Sequence, residues 1–174
     1  GVDSKEFSKE LTSAQCAALT SKLGKQKDDV ILVTTSRLVK KTAIEDIIEA
    51  LTHLPSKVRL LVIGGGPDYK KLKELVQDKK LSNRVQFLGT LQNHELPKYL
   101  KVSDIFIRPS LSEGFGISFV EAMAAGLPVV ATQVGGIQDF LIDPSQNGRN
   151  ATGLVVEVHN PEDIAEKVLR LMKD

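Results

Sequence analysis

The six residues Val30-Ile31-Leu32-Val33-Thr34-Thr35 carry no charge, and all but one are β-branched. A run of that kind folds as a strand buried on both faces, which in turn demands helices on both sides of its sheet. The chain supplies them. Residues 42–54 place Ile44, Ile47, Ile48 and Leu51 at helical spacing. A second strand over 58–63 runs into Gly64-Gly65-Gly66, and Pro67 stands where a helix can begin, with Leu72, Leu75 and Val76 marking its inner face. The alternation continues after a polar opening that precedes it. Strands are predicted over 84–88, 104–108, 129–132 and 153–158, and helices over 95–102, 117–125 and 161–172. Gly126-Leu127-Pro128 stops the helix over 117–125 in the manner of a helix end. Such alternation predicts an α/β domain of three layers, with a mostly parallel sheet of about six strands.

Length and charge narrow the function. The 174 residues suit one domain with a full core, so residues 1–174 are read as a single unit. Hydrophobic residues make up 41% and the formal net charge is +1, which gives no drive toward nucleic acid or an anionic membrane. Cys16 is the single cysteine, so no internal disulfide forms and a cytoplasmic setting is expected. His53, His94 and His159 are scattered without cysteine partners, and no zinc site is predicted. No apolar run is long enough to span a membrane. The opening Gly1-Val2-Asp3 reads as a piece of a longer protein, and the sequon Asn150-Ala151-Thr152 is set aside as a short pattern of chance.

In open parallel sheets, ligands bind beyond the carboxyl ends of the strands. The unusual residues of this chain collect there: Arg37 and Lys40-Lys41 after the first strand, the triple glycine after the second, Gly89 after the third. Pro109 through Gly116 follow the fourth strand, and Gly135-Gly136 the fifth. Gly114 and Gly116 permit close backbone approach and dihedrals closed to other residues. The helix that starts near Ile117 points its free amides and positive dipole end into this loop, which makes an anion site. Arg37 and a lysine of the first loop add fixed positive charge, a set that suits a diphosphate, and no carboxylate cluster argues for a metal.

Glu121 is the only charge in Ile117-Ser118-Phe119-Val120-Glu121-Ala122-Met123-Ala124-Ala125. A helix apolar nearly all round is expected to be buried, and a buried carboxylate needs a partner. Two ribose hydroxyls are one candidate; an internal salt bridge or a backbone amide is the other.

Glu113 and Glu121, with Ser112-Glu113-Gly114-Phe115-Gly116 and Glu121-Ala122-Met123-Ala124-Ala125-Gly126-Leu127-Pro128 around them, resemble the E-x7-E signature of retaining, group 1 glycosyltransferases of the two-domain GT-B fold. Thr35-Ser36-Arg37-Leu38-Val39, Ile63-Gly64-Gly65-Gly66-Pro67, Val85-Gln86-Phe87-Leu88-Gly89, Gly135-Gly136 and Gly153-Leu154-Val155 fit the same family, and Gly1-Val2-Asp3 with Phe7 resembles the phrase after its interdomain linker. The resemblance implies the C-terminal, donor-binding, Rossmann-like half of such an enzyme. It implies that Glu121 binds ribose, that Glu113 lies beside the donor sugar, and that Arg37 with Lys41 or Lys40 meets the charge of the leaving nucleoside diphosphate. The amides of Phe115, Gly116 and Ile117 would hold sugar and diphosphate, with Gly114 and Gly89 completing the donor site. The donor would be a nucleoside diphosphate-sugar, with no metal or other cofactor. An acceptor sugar or lipid-linked sugar would be met by an N-terminal domain, in a cytoplasmic protein or one peripheral to a membrane. One departure stands out: the family's lysine five residues after the arginine, and the glycine after it, are here Thr42 and Ala43.

Two other readings keep the fold. A non-catalytic nucleotide- or phosphate-binding module accounts for the glycines and the helix start, but not for both glutamates. A phosphorylase or a sugar-nucleotide epimerase changes the reaction. A dinucleotide site at the triple glycine would need glycine where Tyr69 stands.

Overall fold

The computed structural model describes residues 3–114, 116–139 and 153–173. Phe115, Gly1-Val2 and the sequon Asn150-Ala151-Thr152 lie outside them. The elements run in the order α1 (Ser4–Ser8), α2 (Ser13–Lys22), β1 (Val30–Thr35), α3 (Ile44–Leu51), β2 (Val58–Ile63), α4 (Tyr69–Asp78) and β3 (Val85–Gly89). There follow α5 (Leu96–Lys101), β4 (Ile105–Arg108), α6 (Ile117–Ala124), β5 (Val129–Ala131), β6 (Gly153–Val155) and α7 (Pro161–Lys173). All six strands are parallel, in the order β3-β2-β1-β4-β5-β6.

The strands alternate between two cores, as a sheet covered on both faces requires. Leu32, Leu60, Val62, Ile105, Ile107 and Val130 pack with Ile47, Ile48 and Leu51 of α3 and Ile164 and Val168 of α7. Their neighbours Ile31, Val33, Leu61, Phe106, Val129 and Ala131 pack on the other side with Phe7, Tyr99, Leu100, Phe119 and Ala122. No helix among the described residues is long and apolar enough to cross a membrane.

Three expectations change at this level. The polar opening holds two helices: Asp3 caps α1, and Thr12 with Gln15 forms a capping box on α2. The helix expected over 42–54 is shorter, because Lys40–Thr42 forms a 3-10 turn and Ala43 stands in the left-handed region at φ 52°. Pro67 precedes α4 rather than opening it, and the helix starts at Tyr69.

The strand order reverses between β1 and β4, and there the two strands part. Their ladder holds only Leu32↔Ile105 and Val33↔Phe106, while β1 continues beside β2 as far as Thr35↔Ile63. A crevice beyond the carboxyl ends follows from that reversal. Backbone bonds lace its rim: Leu38 N–H to Gly65 O at 3.0 Å and Gly64 N–H to Gly89 O at 2.8 Å.

Candidate functional site

Two loops face each other across the parting of β1 and β4. The first runs from Ser36 to Ala43. Its closure depends on Thr42, which is buried and whose hydroxyl lies 2.9 Å from Arg37 O and 2.8 Å from Val39 O. The side chain at this position, where the resemblance implied a lysine, is bonded to carbonyls of its own loop. Thr42→Val keeps the shape and removes the hydroxyl, so it is expected to cost about 1–3 kcal/mol in denaturant unfolding. Arg37, Lys40 and Lys41 are all exposed, and none forms an ion pair among the described residues.

The second loop, Pro109 to Gly116, is fixed from three sides. Leu111 N–H donates to Lys41 O at 2.7 Å, joining it to the first loop. Thr132 Oγ1 donates to Ser110 O at 2.6 Å, and Gly136 N–H to Gly114 O at 3.2 Å. Gly116 takes a left-handed conformation, φ 67°, and caps α6 without a side chain. The amides of Ile117 and Ser118 consequently donate to no described residue, and an anion placed there would gain both donors and the helix dipole. Gly114, by contrast, adopts no positive φ, and a Cβ there would meet nothing within 4 Å. Its expected special dihedral is not needed; the open space beside its backbone is the feature that remains.

Glu121 lies one turn into α6 and is half-buried. Desolvation raises its carboxyl above the ordinary glutamate value, and no described side chain or amide pairs with it. The internal salt bridge allowed by the sequence is therefore absent among the described residues. The helix itself is not buried all round. Phe119 and Ala122 enter the core, but Ile117 is 56% and Val120 42% exposed, so part of its apolar surface lies outside the core.

Glu113 is placed differently from Glu121. Its carboxylate is only 8% exposed and turns inward, 2.8 Å from Arg108 Nε, and accepts from Ser110 Oγ at 2.6 Å. Arg108, which the sequence reading passed over, also donates from Nη1 to Thr35 O at 2.8 Å and to Ser118 Oγ. Burial lowers its pKa from the usual arginine value. The signal for it was present: a lone arginine closing the apolar strand Ile105-Phe106-Ile107 requires a partner. The hydroxyls of Thr34, Thr35 and Ser36 at the end of β1 are buried without partners among the described residues.

Arg37 and Lys41 thus stand on the first loop, Glu113, Gly114 and Gly116 on the second, and Ile117 and Glu121 in α6 directly after it, all beyond the carboxyl ends of β1 and β4. Gly89 ends the edge strand β3, with β2 between it and β1, and its carbonyl is taken by Gly64. No group of three or more His, Cys, Asp or Glu that could hold a metal ion occurs among the described residues.

A sequence model of the family described as glycosyl transferases group 1 matches residues 17–174. The alpha-monoglucosyldiacylglycerol synthase of Acholeplasma laidlawii is 33% identical over 152 residues, which covers 85% of this chain and 38% of that protein. The crystal structure of Anabaena HepE in complex with UDP-glucose matches with a TM-score of 0.88 at 25% identity, over 100% of this chain and 46% of that one. The C-terminal domain of the LpcC group 1 glycosyl transferase from Francisella tularensis matches with a TM-score of 0.81 at 26% identity, over 100% of this chain and 89% of that one. The chain spans less than half the length of the first two proteins and most of the third.

Proposed function

The chain belongs to the group 1 glycosyl transferases, and on that premise we propose that it is the donor-binding domain of a retaining, metal-independent glycosyltransferase that moves a hexose from a nucleoside diphosphate-sugar to an acceptor. One observation carries the reading: a half-buried Glu121 with no partner among the described residues sits one turn behind a helix start with no side-chain cap, whose first amides donate to no described residue. A carboxylate acceptor next to an anion site matches one ligand shape, a ribose joined to a diphosphate. The same fold in Anabaena HepE is seen with UDP-glucose. Arg37 and Lys41, with Lys40 beside it, then supply positive charge where the departing diphosphate gains negative charge, the electrostatic task that dominates such transfers. That arrangement meets the diphosphate's charge with side chains and amides in place of a metal. Glu113 is assigned to the donor sugar. Acceptor recognition belongs to a further domain, and the single cysteine suits a cytoplasmic protein.

The test is protection from thermal unfolding. A nucleoside diphosphate at a hundred times its Kd is expected to stabilise the chain by about 2.7 kcal/mol. UDP, GDP and ADP are compared with inorganic phosphate, each with and without EDTA. Protection by phosphate alone would identify a phosphate-binding module and sink the proposal, and loss of nucleotide protection in EDTA would sink metal independence. The lysines are tested separately. Replacing Lys40 and Lys41 together by alanine is expected to weaken diphosphate binding by about tenfold at low salt, with less loss at high salt. Unchanged affinity would leave Arg37 as the charge that matters.

A further inference from the structure

We propose that Arg108 is a positioning residue for donor recognition: it holds Glu113 so that one carboxylate oxygen is anchored inside the domain and the other is presented to the sugar. The inference rests on the assignment of Glu113 to the donor sugar made above. The two contacts of Glu113, from Arg108 Nε and Ser110 Oγ, both fall on Oε1. Oε2 has no hydrogen-bond partner among the described residues. A carboxylate held in this way cannot swing, and its remaining acceptor lone pairs point where the anchored oxygen dictates.

The place of Arg108 explains why the anchor is an arginine. It is the last residue of β4, at the level where the ladder to β1 has already ended, and its guanidinium fills the gap by donating to Thr35 O. The same nitrogen reaches Ser118 Oγ in the first turn of α6, and the guanidinium carbon stands 5.8 Å from the centre of the Phe119 ring. One side chain therefore ties together the ends of β1 and β4, the start of the anion-binding helix and Glu113. A planar fork with five donors can serve those directions at once, whereas an ammonium cannot. Stability alone is a poor reason for the arrangement, because burying an ion pair removes two charges from water and returns little net energy. Its return is a fixed geometry at the crevice.

The experiment compares the affinity of this chain for UDP with that for UDP-glucose, and for GDP with GDP-mannose, by titration calorimetry. It uses the unaltered chain, Arg108→Lys, Glu113→Gln and the double variant. In the unaltered chain, the sugar of the better-matched pair is expected to strengthen binding by about tenfold, the value of one charge-assisted hydrogen bond. Arg108→Lys and Glu113→Gln should each abolish that gain, Glu113→Gln leaving the affinity for the diphosphate alone within about twofold, and the double variant should lose no more of the sugar's gain than either, as expected of residues acting as one unit. Arg108→Gln serves the same purpose if the lysine variant does not fold. Retention of the sugar's gain in Arg108→Lys would overturn the proposal, as would losses of that gain that multiply in the double variant, or loss of diphosphate affinity in Glu113→Gln. If the diphosphates bind and no sugar adds affinity, Glu113 does not meet the sugar and the role of Arg108 falls, while the nucleotide reading stands. If none of the four nucleotides binds, both fall together.

Discussion

Replacing Glu121 by glutamine is expected to weaken UDP binding by about ten- to a hundredfold, the loss of one charge-assisted hydrogen bond, while leaving the unliganded chain at least as stable as before. The two effects have opposite signs because the carboxylate is placed for a ligand and not for the fold. Burial raises its pKa, and no described group compensates. The sign follows from linkage: a carboxyl held above its unfolded value favours the fold fully below that unfolded value, and this contribution is lost as pH rises through the folded one. Ionising Glu121 thus costs the unliganded domain energy that no described group returns, and the neutral amide removes that cost. A ribose offers two hydroxyl donors, and an ionised carboxylate accepts both, whereas glutamine supplies one oxygen and a competing NH2. UDP affinity in the unaltered chain should also weaken on acidification, beginning at a higher pH than an ordinary glutamate would give. Calorimetric titration at two pH values and thermal unfolding without ligand read both effects. A glutamine variant that melts markedly lower would show that Glu121 serves the fold, and the ribose assignment would fail.

The sequence made the sheet legible and left parts of the site hidden, for reasons that differ by residue. Val30–Thr35 could be read because burial on both faces leaves no position for a charge. The opening helix α2 could not, since none of its residues is buried and it has no apolar stripe to betray it. In α6 the apolar composition misled: Ile117 and Val120 are apolar but exposed, so composition alone did not locate the core. The loops after β1 and β4 announced themselves by glycine and by basic residues. The pairing of Arg108 with Glu113 did not, because residues five apart across a turn meet only through the path the turn takes. Thr42, where the resemblance led one to expect a lysine, proved to be the residue that closes its own loop.

Gly64→Ala is expected to destabilise the chain by about 3 kcal/mol or more, and Gly135→Ala by about 2 kcal/mol with a larger effect on nucleotide binding. Both glycines have positive φ, 134° and 55°, and in both a Cβ would press on a backbone oxygen. At Gly64 that oxygen is Ser36 O, 1.8 Å away. Ser36 follows directly on β1, and its amide donates to Ile63 O at 3.0 Å, so neither strand can yield without breaking the ladder at the centre of the sheet. The cost falls on the fold. At Gly135 the obstruction is Glu113 O at 1.9 Å, in a loop outside the sheet whose bonds to Lys41, Thr132 and Gly136 can be strained without breaking a strand ladder. A shift of that loop would carry Glu113 and the approach to Gly116 with it, so the site moves before the sheet does. Gly114→Ala is the control for stability, since a Cβ there meets no described residue beyond its chain neighbours within 4 Å. Denaturant unfolding with UDP titration on the three variants separates these cases. Equal losses of stability at Gly64 and Gly135, or unimpaired UDP binding in Gly135→Ala, would show that the loop after β5 does not support the crevice.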